Sequence, residues 1–201
     1  MNHNVLAAVS VMLLFFSAPA QADIEFTNDT QYFQVQGKTP AELYASILSH
    51  SMKIGGKRTI ASISTRLSQS GKARETGSSC KANDDIIKLN FAVHRPRAAN
   101  EELMPPEDRK NREQMYAFIR SHEELHRQIQ LHCAEALTND VAAIEEQSCR
   151  AVTNKTNLLW PKMITECDSK QKSFDDEQTG MLLGHQFFID AMHGRATQQT
   201  A

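Results

Sequence analysis

The chain has 201 residues, with 22 Lys and Arg against 24 Asp and Glu and 40% hydrophobic residues. That length and apolar content suit one domain with a buried core. A formal charge of −2 and a pI near 6.4 argue against a nucleic-acid or anionic-membrane binder, which needs a basic excess or stripe. A 23% charged fraction with nine Phe argues against wholesale disorder.

Val5 to Phe16 is a nearly unbroken apolar run, followed by Ala20-Gln21-Ala22. The run is shorter than the roughly 20 residues a helix needs to span a bilayer. It suits the h-region of a signal peptide with an A-x-A cleavage site, although the stretch before it carries no Lys or Arg. The alternative is an uncleaved anchor or a buried N-terminal helix. We expect residues 1–22 to be a signal peptide, with export to the periplasm or the medium. Residues 23–201 then form the mature domain, with no stable membrane span. Cys80, Cys133, Cys149 and Cys167 are an even set in an exported chain, which favours disulfides. No C-x-x-C pair exists, and all three possible pairings remain open.

Ile24 to Gln36 reads as two short strands around an Asn28-Asp29 turn. Thr39-Pro40-Ala41-Glu42 is a helix start: Thr39 caps, Pro40 takes the first helical position, and Glu42 completes a capping box. Leu43, Ile47, Leu48 and Met52 give that helix an apolar stripe, and Gly55-Gly56 stops it. Thr59–Gln69 and the alternating Ile87, Leu89, Phe91 and Val93 predict a hairpin, with Ser70–Ser79 as its turn and Pro96 as its end. Ala98–Asp108 reads as a loop.

The period then changes. Met115, Phe118/Ile119, His122, Leu125/His126, Ile129, Cys133 and Ala136/Leu137 mark one face of an amphipathic helix over Glu107–Leu137. Thr138-Asn139-Asp140 reads as a turn into a second helix, with Val141, Ile144, Val152, Leu159 and Met163 inward and Pro161 kinking or splitting it. Phe187, Phe188, Ile189 and Met192 predict a last helical turn or two before Gly194. The expected fold is α+β: N-terminal antiparallel strands with one short helix, then two long antiparallel helices.

His122-Glu123-Glu124-Leu125-His126 is an H-E-x-x-H motif inside the first long helix. Side chains at i and i+4 leave one helical face about 5–6 Å apart, close enough for two imidazoles to share one ion. Zinc takes such nitrogens, and a catalytic site keeps one of four positions for water. Glu123, beside the first histidine, matches the general base of zincin-type helices, which takes a proton from the water that the metal acidifies. Histidines on an apolar stripe are usually satisfied core residues. Burying two of them without a common partner would be costly, however. Cys133 shares their face but lies about 10 Å along the axis from His126, too far for a common ion. His132 points elsewhere and reads as a surface residue.

This motif, with Met115-Tyr116-Ala117-Phe118 before it and Cys149 after it, resembles a bacterial family of predicted secreted zinc-dependent proteases, long known as a domain of unknown function. Tyr32-Phe33-Gln34-Val35-Gln36-Gly37-Lys38-Thr39-Pro40-Ala41-Glu42-Leu43 is similar to the family's N-terminal strand and helix start. Cys80 and Arg95-Pro96-Arg97 flank what looks like its central strand, and the resemblance covers most of Tyr32 to Thr197. It implies Zn2+ as cofactor and a protein or peptide as substrate. The chain departs from the family where a Tyr-Asp-x-x-Thr-x-His-Gly stretch is expected. Phe174-Asp175-Asp176-Glu177-Gln178-Thr179 looks like its beginning, but Gly180-Met181 follows and no His comes in step. His185, His193 or a carboxylate such as Glu177 are then the candidates for a third ligand.

Three functional readings follow. The first is an exported zinc metallopeptidase with ligands His122, His126 and one of His185 or His193, and Glu123 as base. The second is a non-catalytic metal-binding or interaction module of the bacterial envelope. The third is a disulfide-stapled structural domain with core histidines and no metal.

Overall fold

The computed structural model describes residues 23–54 and 56–199; the leader read over residues 1–22 lies outside them. The chain runs β1 (Asp23–Val35), α1 (Pro40–His50), a small hairpin β2 (Lys53–Ile54) and β3 (Lys57–Arg58), β4 (Ser62–Thr76), β5 (Ser79–Ala98), a 3-10 turn (Glu101–Leu103), α2 (Pro106–Ala142), β6 (Glu145–Glu146), α3 (Cys149–Leu183) and α4 (Gln186–Gln199). This is the α+β layout, an N-terminal half of strands with one short helix among them and a C-terminal half dominated by long helices. Among the described residues no helix is long and apolar enough to cross a membrane.

The central hairpin is longer than its apolar alternation implies. β4 and β5 pair antiparallel from Ser62 opposite His94 to Thr76 opposite Ser79, with a register shift between Ser70 and Lys72. Two glycines, Gly71 and Gly77, lie in the segment expected to turn, and they divide the work. Gly77 makes the tight turn at φ 66°, which a Cβ would strain. Gly71 sits at the bulge, where a Cβ would meet the Asp85 carboxylate at 2.0 Å. Pro96 does not end β5. The β4 ladder stops at His94, so Pro96 lies where the strand has lost one neighbour and a missing N–H is tolerated.

β1 corrects the expectation of two short antiparallel strands. It is one strand, parallel to β5 from Asp23 opposite Ile86 to Val35 opposite Ala98. Asn28 and Asp29 stay extended because β5 pairs with them throughout, and continuous pairing overrides a local turn preference. A parallel partner needs a crossover, here α1, β2–β3 and β4. α1 begins as read: Thr39 Oγ1 accepts from the Glu42 N–H at 3.3 Å. The Glu42 carboxylate, however, takes the N–H of Lys38 at 2.7 Å, one residue earlier than a capping box requires.

Thr138-Asn139-Asp140 is not a turn. α2 continues through it to Ala142 because Leu137 and Val141, one helical turn apart, are both buried, while Asn139 and Asp140 lie on the wet side. The reversal comes at Ala143–Ser148, where Ser148 caps α3 by accepting from the Ala151 N–H at 3.3 Å. α3 runs through Pro161 without splitting. Asn157 and Pro161 are both exposed, so water can serve the carbonyl that the proline leaves unpaired. α4 passes Gly194 rather than ending before it. A Cβ there would come within 3.1 Å of Ala41, so the glycine lets α4 lie close on α1.

Packing divides α2 into three zones. Near its start, Met115 and Ile119 join Val35, Leu43, Ile47, Met104, Phe187 and Phe188 in one apolar cluster. Near its end, Cys133, Ala134, Leu137 and Val141 pack on Ile87, Leu89 and Phe91 of β5 and on Met163 and Cys167 of α3. His122 to His126 fall in the gap between the clusters. Two disulfides resolve the pairing left open by sequence: Cys80–Cys149 ties β5 to α3, and Cys133–Cys167 ties α2 to α3.

Gly37, between β1 and α1, is the tightest backbone approach: an added Cβ would sit 2.3 Å from the Leu43 nitrogen and 2.7 Å from its Cα. Those atoms belong to a capped helix and cannot swing away as a side chain would. Gly37→Ala should therefore cost about 1–3 kcal/mol, the range for overpacking. Urea denaturation with an unchanged m-value would confirm it, and a shift in midpoint within error of zero would refute it.

Candidate metal centre

One helical turn on α2 presents His122 and His126 side by side, with ring centroids 4.5 Å apart and Nε2 atoms 2.9 Å apart. α3 brings Asp175 against both: its Oδ1 lies 2.9 Å from His126 Nε2 and 3.3 Å from His122 Nε2. Among the described residues, these three are the group whose ligand-type atoms converge.

Gln171, one turn before Asp175, fixes the orientation of His126. Its Nε2 donates to the His126 backbone carbonyl at 2.9 Å, so its amide oxygen is the atom that faces His126 Nδ1. An amide oxygen only accepts, which places the His126 proton on Nδ1 and leaves a lone pair on Nε2. That lone pair faces a carboxylate oxygen and a second imidazole nitrogen. Two such acceptors, His126 Nε2 and Asp175 Oδ1, repel each other unless a proton, such as one on His122 Nε2, or a cation lies between them. Zinc–ligand distances of 2.0–2.1 Å place tetrahedral donors roughly 3.3 Å apart, close to the separations seen here. The residues fit one divalent cation, with Gln171 as the outer partner that orients a ligand ring.

Aromatic rings shield this polar knot. Phe174 stacks on His122 at 4.8 Å and meets His126 edge-on at 4.9 Å, and Phe118 lies parallel to His122 at 6.4 Å. Burial, with the neighbouring His126, pushes the His122 pKa down against the opposing pull of Asp175. Its Nδ1 is buried without a hydrogen-bond partner. Glu123 is 5% exposed, and its Oε2 likewise has no partner. Burial pushes its carboxyl up to about 7; the charges of His126 and Arg95 oppose this, and Asp175 reinforces it.

A cleft of about 670 Å³ opens over these residues, with His122, Glu123 and His126 in its lining. β4 lines it with Ser62, Ile63, Thr65 and Leu67, and α3 with Trp160, Met163, Ile164 and Asp175.

The histidines expected to complete the set do not join it. α3 continues as helix to Leu183, so the chain turns only well past Asp175. His185 then lands against Phe118, at 5.6 Å between rings, one turn before His122. His193 is exposed on α4, and Glu177 is exposed on α3. The acidic ligand-type residue beside the histidines is Asp175. Its signal was present in the sequence: Met163, Cys167, Gln171 and Asp175 recur every four residues, so Asp175 extends the inward stripe of α3.

Glu123 makes the metal-free protein sensitive to pH. Its folded value near 7 lies above its ordinary 4.5. Between those values the unfolded chain ionises while the folded one keeps its proton, so stability falls as pH rises and stays lowered above 7. The loss should be roughly 2–3 kcal/mol. Chemical denaturation of chelator-treated protein at pH 5 and pH 8 measures it. Glu123→Gln should flatten the profile and leave the variant the more stable at pH 8; identical profiles would refute the assignment.

No curated protein and no solved structure matches the chain. A family model described as a bacterial protein of unknown function, DUF922, matches residues 30–184. With that match spanning most of its length, the chain belongs to the DUF922 family of bacterial proteins.

Proposed function

We propose that this protein is an exported zinc-dependent peptidase, with the metal held by His122, His126 and Asp175 and with Glu123 as general base. One observation carries the reading: three ligand-type side chains converge, the next residue after His122 is a carboxylate with a buried, unpartnered oxygen, and all four residues line one cleft.

Zinc, when bound, acts as a Lewis acid that acidifies water and polarises a carbonyl. The chain's own residues supply the rest. Gln171 holds the His126 ring so that Nε2 faces the cleft. Glu123 Oε2, unpaired and dry, takes the proton of the attacking water and returns it to the leaving amine. Phe174 and Phe118 cover part of the histidines, which lowers the polarity around them and strengthens each charge interaction there.

A peptide suits the cleft because β4 is an edge strand, in the order β1-β5-β4, and lines the cleft wall. An extended chain can add to such an edge through main-chain hydrogen bonds. The two disulfides support export, since such bonds persist in oxidising compartments. The alternative, a non-catalytic metal-binding or interaction module, rests on a missing third donor, and Asp175 supplies one.

Elemental analysis of the purified mature protein should find about one equivalent of zinc, and Asp175→Ala and His126→Ala should lose it. Chelation should lower the melting temperature of the parent protein, because a ligand of the folded state stabilises it. Glu123→Gln should keep the metal while hydrolysis of an unstructured protein falls about 10²–10⁴-fold. A metal-free parent protein, or full activity in Glu123→Gln, would sink the proposal.

A further inference from the structure

A second cavity, about 430 Å³, lies where the ends of β1 and β5 meet α2, and it shares no residue with the metal-centre cleft. Arg95 and Arg97 of β5 and Arg120 of α2 line it. None of the three guanidiniums makes a hydrogen bond or ion pair with another described residue. Elsewhere in the chain Arg112 and Arg127 both find carboxylates.

Each of the three has a reason to remain open. Arg97 lies over the Tyr32 ring at 4.0 Å, a contact that holds the cation without using an N–H donor in a conventional hydrogen bond. Arg95 has a buried Nε with no acceptor. Its charge reaches Glu123 and Glu124 without contact with either. Arg120 is exposed at the rim. The one carboxylate in the lining, Glu101, is engaged by the buried Arg112. Positive charge is thus gathered around a concave space in a chain whose net charge is −2.

The rest of the wall is apolar. Tyr32, Pro96, Tyr116 and Ile119 line it, and the volume falls in the range of about 300–1,000 Å³ typical of small-molecule pockets. Free guanidinium forks recognise planar or tetrahedral oxyanions through paired N–H donors. We propose that this cavity binds an oxyanion, a carboxylate or phosphate, carried on a compact apolar or aromatic body. The head would lie against Arg95, Arg97 and Arg120, and the body among the tyrosines. The site is separate from the hydrolase reading and requires no metal.

The test is isothermal titration calorimetry on the metal-stripped Glu123→Gln protein, so that neither metal nor turnover enters the result. The probes are 3-phenylpropionate, phenyl phosphate and the uncharged 3-phenylpropanamide. At least one anion should bind saturably at one site, weaken as salt rises, and outbind the amide at least tenfold. The tighter anion identifies the source of the head group. Arg97→Gln with Arg120→Gln should weaken that binding at least tenfold with an unchanged circular dichroism spectrum. Should the pair fail to fold, Arg120→Gln alone, at an exposed position, should still weaken binding severalfold. No saturation by either anion, equal binding of the amide, or unchanged binding in the folded variant would overturn the proposal.

Discussion

Two antiparallel helices joined by one covalent bond have little freedom left in their register. The Cys133–Cys167 disulfide links α2 to α3, and the polar contacts follow from that junction. His126 lies seven residues before Cys133 and meets Gln171, four after Cys167; His122 lies eleven before and meets Asp175, eight after. Both contacts carry the same three-residue offset, so a single register accounts for both. Sliding α3 by one residue would move Asp175 about 1.5 Å along the axis and turn it about 100° away. In the open-chain entropy picture a link closing a loop of this length stabilises by about 3–4 kcal/mol. Its placement matters as much, because it holds two imidazoles of α2 and a carboxylate of α3 at a spacing suited to one ion.

The same arrangement has a cost. Buried polar groups without partners oppose folding, and this region contains His122 Nδ1 and Glu123 Oε2 together. The apolar clusters on either side supply the compensation. Ile87, Leu89 and Phe91 are each about 1% exposed or less, as are Met115, Phe187 and Phe188, and full burial of each is worth about 1.5–3 kcal/mol. Both unpartnered atoms belong to adjacent residues of α2, between the two clusters.

How much of this could be read from sequence depends on the range of the interaction. The stripe of α2 is local and strong, so Met115, Ile119, His122, His126 and Cys133 fall on one face as their spacing requires. The hairpin was legible for the same reason, although Gly71 and Gly77 both look like turn residues and only one makes the turn. Asn28-Asp29 misled because a turn propensity is local, whereas the pairing of β1 with β5 spans some sixty residues. Nothing in either segment announces a parallel partner. The Thr138–Asp140 turn failed in the same way: burial of Val141 outweighed the cap residues before it. Asp175 is the instructive case. A carboxylate among other acidic residues reads as solvated surface, and more than half of its side chain is in fact exposed. Only the four-residue spacing from Met163 separates it from Asp176 and Glu177.

α2 is consequently more than a carrier of two histidines. Its 37 residues present different chemistry on adjoining faces. Tyr116, Ile119 and Arg120 look onto the arginine-lined cavity, while His122, Glu123 and His126 look onto the cleft. Ile119 also packs into the apolar cluster with Phe187 and Phe188, so the cavity wall and the core share a residue. A helix so committed cannot rotate to improve one face without moving the others. Its azimuth is set by apolar packing at both ends, and the polar residues between them inherit it. Tight packing transmits such constraints because interiors have few voids in which to absorb a shift. A core substitution at Met115 or Leu137 therefore bears on the geometry of the imidazole pair, although neither residue belongs to the converging group.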